Sequence, residues 1–104
     1  MTNFEKQVID LKSAIDVQEN AVVSKMLTAN TASSLTLFAF DKNQSIAAHT
    51  SPVNAVVQAV EGEVEITISD EKFVLKAGEI ILMPKGEPHS LLALTPFKMA
   101  LFKV

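Results

Sequence analysis

The chain has 104 residues, 48% of them apolar and 20% charged, with a net charge of −3 and no cysteine. Length and composition suit one folded domain over residues 1–104, with a core that needs no covalent staples. The absent cysteines exclude disulfides, thiolate metal sites and a Cys nucleophile, and scattered lysines in an acidic balance leave no footprint for nucleic acid.

The opening MTNFEKQVID lacks the basic region and apolar core of a secretory signal. No apolar run approaches the roughly 20 residues that span a bilayer. The expectation is a cytoplasmic protein with no membrane partner. Residues 2–16 read two ways. Thr2-x-x-Glu5 forms a capping box, and Phe4, Val8, Leu11 and Ile15 fall at helical spacing. The same residues also read as short strands around a turn, so a short helix and an edge strand both stay open.

From there the β signal is steady. AVVSKML and SSLTLFAF are strand-like runs separated by the turn-prone TANTA, and DKNQS is the next loop. AVVQAV and EGEVEITIS follow, with Val64, Ile66 and Ile68 alternating with Glu63, Glu65 and Thr67: one face buried, one wet. FVLKAGEIILMP runs on to Pro84, which cannot donate to a ladder. HSLLAL and FKMALFKV complete the pattern. Seven to nine short strands at this spacing predict an all-β sandwich or barrel.

GEIILMPKGEPHSLLA, from Gly78 to Ala93, reads G-x5-P-x-G-x2-H-x3-A. This resembles the second conserved motif of the cupin superfamily, with Ala93 in place of its closing Asn. Upstream, HTSPVNAVVQAVEG fits the frame of the first cupin motif, G-x5-H-x-H-x3,4-E-x6-G. In that frame His49 is the first histidine and Gly62 the closing glycine. Ser51 stands at the second histidine, Ala55 at the glutamate and Asn43 at the first glycine. The resemblance implies a cupin jelly-roll β-barrel (a double-stranded β-helix) of the small, single-domain bacterial kind, with a degenerate first motif.

In metal-binding cupins, two histidines and a glutamate of the first motif join one histidine of the second around an ion. Two of those four survive here, His49 and His89, and they are the only histidines in the chain. They are the candidate metal ligands, for Zn, Ni or Fe, with Ser51, Asn54 or Gln58 as neutral oxygen donors that could complete the set. Strand parity from His49 turns residues 51, 53, 55, 57 and 59 inward and Gln58 outward, unless a bulge at Pro52 breaks the alternation. The alternative is a pair of inherited core histidines in a polar pocket, with no metal.

Met83, Met99, Phe38, Phe40, Phe97 and Phe102 read as core that could also line a cavity in the barrel mouth. Glu61, Glu63 and Glu65 read as a solvated face, and Lys85 and Glu87 as a surface loop.

Three functions follow. The leading one is a barrel binding an unknown small molecule in a pocket around His49 and His89. The others are a metal-dependent oxygenase or isomerase with a two-His ligand set, and a non-catalytic structural or sensory subunit; whether the chain is an enzyme stays open. A homodimer is expected, because FKMALFKV is apolar on both faces apart from Lys98 and Lys103, and small cupins pair through such strands.

Overall fold

The computed structural model describes residues 4–104. Nine strands follow one another: β1 (Val22–Ala29), β2 (Ser34–Phe40), β3 (Ser45–His49), β4 (Ala55–Glu61), β5 (Glu63–Ile68), β6 (Glu71–Lys76), β7 (Ile80–Met83), β8 (His89–Ala93) and β9 (Phe97–Lys103). They form two antiparallel sheets, one in the order β1-β2-β9-β4-β7 and the other β3-β8-β5-β6. This is the all-β jelly-roll barrel expected. FVLKAGEIILMP folds as two strands in different sheets, because Ala77 and Gly78 turn the chain between β6 and β7.

Alternation builds the main core. Ala55, Val57 and Ala59 of β4 meet Val64, Ile66 and Ile68 of β5, with Leu91 and Ala93 of β8 and Phe97 and Met99 of β9. Phe40 and Phe97, both 0% exposed, pack edge to face with centroids 5.6 Å apart. Each ring contributes about 1.5–3 kcal/mol by burial, and the pair adds about 0.5–1.5 kcal/mol by its geometry.

The opposite faces of β2 and β9 carry a second, smaller core. Leu37, Ala39 and Ala100 pack there against Ile15, with Leu11, Val17, Leu35 and Phe102 at its margin. The segment ahead of β1 therefore lies across the outside of the five-stranded sheet. Among the described residues it forms neither helix nor strand, and Thr2 of the capping box lies outside them. Lysines from the sheet bond its backbone. Lys25 Nζ donates to the Ala14 carbonyl at 2.6 Å, and Lys98 Nζ donates to the Lys12 carbonyl at 2.5 Å. Main-chain acceptors of the segment are thus satisfied across the interface.

The same packing accounts for the apolar outer face of the last strand. β9 is not an edge: β2 and β4 pair with it on either side, and β1 and β7 are the edges of that sheet.

Two positions fix the frame of the motifs. Gly62, between β4 and β5, has φ +81, and a Cβ there would collide with the Pro96 carbonyl and sit 2.6 Å from Thr95 Oγ1. Only glycine lets the strands turn this closely against the β8–β9 link. Asn43 takes φ 70 where the first motif has glycine, and asparagine is among the side chains that tolerate that region best.

Candidate functional site: a cavity with two histidines and a lysine

β3 ends at His49 and β8 begins at His89, and the two are direct cross-strand partners. A register shift between Ile46 and His49 lets both residues face the barrel interior although an odd number of positions separates them. The rings meet edge to face, with centroids 4.4 Å apart and planes at 68°. His89 is 3% exposed, whereas His49 stands at the solvent side. They share a cavity of about 250 Å³ with Ser51, Ala55 and Lys103. Its remaining wall is apolar: Phe38, Ile46, Met83, Leu91, Met99 and Leu101.

Both histidines turn Nδ1 to main chain. The Nδ1–H of His49 donates to the Ala47 carbonyl at 2.9 Å, and that of His89 to the Glu87 carbonyl at 3.3 Å. A carbonyl oxygen only accepts, so the proton of each neutral ring is assigned to Nδ1 and the lone pair to Nε2. Burial holds the His89 pKa below its ordinary 6.5, helped by the neighbouring His49 and by Lys103 and opposed by the Glu87 carbonyl. His89 is therefore neutral at neutral pH.

Of the oxygen donors expected from the sequence, the fold brings one to the histidines. Ser51 is 5% exposed and lines the cavity, its Oγ accepting the Val53 N–H at 3.3 Å. Asn54 is exposed, and its Oδ1 accepts the Lys85 N–H at 3.0 Å, tying the β3–β4 link to the loop after β7. Gln58 lies on the face of β4 opposite Ala55, Val57 and Ala59, as parity indicated, and pairs with Ile80 and Ala100. Phe38, Met83 and Met99 line the cavity, whereas Phe40 and Phe97 are core and Phe102 lies in the outer cluster.

Lys103 is the site residue that motif reading misses. It shares the inward parity of Phe97, Met99 and Leu101 along β9, and its cross-strand partner on β4 is Ala55. Where the first cupin motif has a glutamate, this site thus has a methyl group facing a lysine. Parity alone places Lys103 inward. Its meeting with Ala55 needs the β4–β9 register.

The donor set does not fit a resident divalent ion. Among the described residues no three His, Cys, Asp or Glu side chains come together. Two Nε2 lone pairs are the half that suits a metal. Ala55 offers no donor, Ser51 is neutral, and the Lys103 ammonium adds positive charge where an anionic ligand would balance the ion.

The cupin domain family matches residues 36–103, which include every residue that lines the cavity. A conserved protein of unknown function from Streptococcus pyogenes is 35% identical, over 95% of this chain and 87% of that one, with a TM-score of 0.91. A cupin 2 conserved barrel domain protein from Leptotrichia buccalis is 33% identical over 92% of this chain and 47% of its own, with a TM-score of 0.89. KdgF from Halomonas sp., 22% identical over 86% of this chain and 83% of its own, shares the fold with a TM-score of 0.73. No match is found among curated proteins.

The lowered His89 pKa has a definite sign in stability. As pH falls below the ordinary 6.5, the unfolded chain takes up the proton first. The stability due to neutral His89 is therefore present above that value and lost as pH falls through the depressed folded pKa. Chemical denaturation at about pH 7.5 and about pH 5 should show a larger loss of stability for the wild type than for His89→Gln. Equal losses would contradict the assignment.

Proposed function

This chain belongs to the cupin superfamily, and within it we propose a small-molecule-binding barrel whose ligand enters the cavity around His49 and His89. The observation that carries this reading is the cavity itself. It combines an apolar wall with a few convergent polar groups, the usual make-up of a ligand site. At about 250 Å³ it lies below the range typical of drug-sized ligands, so the ligand is small.

The paired Nε2 lone pairs favour a second reading, a metal-dependent enzyme of oxygenase or isomerase type with Zn, Ni or Fe held by two histidines. It ranks second because a two-imidazole set beside a lysine binds a cation loosely.

Methionine methyl groups provide the test. Met83 and Met99 line the cavity, whereas Met26 lies on the surface at 60% exposure. Methyl-labelled protein titrated with small organic fragments should show shifts at Met83 and Met99 and none at Met26. A library that moves neither cavity methyl at millimolar concentration would sink the binding reading.

The reading includes a homodimer, through the sheet edge at β7 rather than through β9. Ile80 and Leu82 on β7 are 66% and 56% exposed, and Leu82 stands beside Val56 of β4, so a second copy would cover apolar surface there. Light scattering at tens of micromolar should give twice the chain mass, and Leu82→Lys should shift the population toward monomer. A monomeric wild type would remove the dimer.

A further inference from the structure

The charges of the cavity point to the sign of its ligand. Three polar side chains with charge or proton chemistry line it, His49, His89 and Lys103, and no carboxylate does. Lys72 pairs with Glu65 and Lys98 with Glu61, whereas no carboxylate lines the cavity beside Lys103. A half-buried lysine lining a cavity with an apolar wall gains most from an anion that enters beside it, because attraction strengthens as water is excluded.

The class of anion is restricted further. The chain contains no arginine, so the forked donor that suits a phosphoryl dianion is absent, and one lysine matches one negative charge. Nδ1 of each ring faces a carbonyl, so in the neutral tautomer Nε2 is the acceptor and suits a ligand O–H, whereas a second carboxylate would meet a lone pair there. Six apolar side chains then take the remainder of the ligand.

We propose that the cavity binds a small hydroxy monocarboxylic acid, its carboxylate on Lys103, its hydroxyl donating to a histidine Nε2 and its apolar body against Phe38, Leu91 and Leu101. The proposal rests on the binding reading above and gives that site a ligand class. It also gives Ala55 a reason: a glutamate opposite Lys103 would occupy the ammonium from within the protein.

Calorimetry with hydroxy acids of rising side-chain size, lactate, 2-hydroxyisocaproate and mandelate, each beside its neutral amide, tests it. Methyl shifts at Met83 and Met99 report occupancy independently. The larger acids should bind at least about tenfold more tightly than their amides. Lys103→Met should abolish that preference and Lys103→Arg should retain most of it. Phenylacetate, which lacks the hydroxyl, should bind about tenfold more weakly than mandelate. Amides that bind as tightly as acids, with both methyls shifting, would overturn the acid while leaving the cavity as a binding site. Acid binding unchanged in Lys103→Met would overturn the role of the lysine. If acids and amides alike leave both methyls unmoved, the ligand class and the binding reading fall together.

Discussion

Strand β9 runs hydrogen-bonded between β2 and β4, and the alternation along it divides the interior of the protein in two. Phe97 and Met99 face into the barrel, and Ala100 and Phe102 face out to the segment ahead of β1. A slip of one residue in this register would exchange the two faces and turn Lys103 away from the cavity. The fold, the covering of its outer sheet and the chemistry of its site all depend on that pairing. Gly62 helps to fix it from the side, since only a residue without a Cβ lets the β4–β5 turn approach the carbonyl of Pro96, one residue before β9 begins.

The cavity keeps the architecture of a cation site and reverses its electrostatics. His49 and His89 meet at the positions the cupin motifs assign to ligands, each with its Nδ1–H on a carbonyl. The anionic member is missing at Ala55, and across the sheet from it stands an ammonium group. A site of this make-up offers a divalent cation no anionic ligand, and burial keeps His89 neutral. The S. pyogenes relative, alike over 95% of this chain, is likewise of unknown function, so the reading rests on the residues of this cavity.

Much of this was legible in the sequence because its causes are local. The alternation of Val64, Ile66 and Ile68 and the stop at Pro84 each follow from the residue and its near neighbours. The two histidines announced a shared site through their place in the motifs. The segment before β1 was not legible. Its helical spacing and its strand-like runs both describe an apolar stripe, and the partners it packs on, the outer face of β2 and β9 with Lys25 and Lys98, lie distant in sequence. The β6–β7 turn falls at Gly78, a glycine of the second motif, but that the chain changes sheets there depends on pairings distant in sequence. Lys103 looked like one of two exceptions on an apolar strand. What makes it a site residue is its cross-strand neighbour, and the β4–β9 register is not written in either strand alone.

Specific side chains separate this cavity from a cation site, so supplying the missing ones should create cation binding. The most direct measurement is metal content by plasma mass spectrometry on untagged protein purified without chelator. It compares the wild type with the combined variant Ser51→His, Ala55→Glu and Lys103→Met. The account predicts little divalent metal in the wild type and about one ion per chain in the variant, as three or four protein ligands require. Near-stoichiometric metal in the wild type, lost in His49→Ala and in His89→Ala, would contradict it and make two imidazoles sufficient.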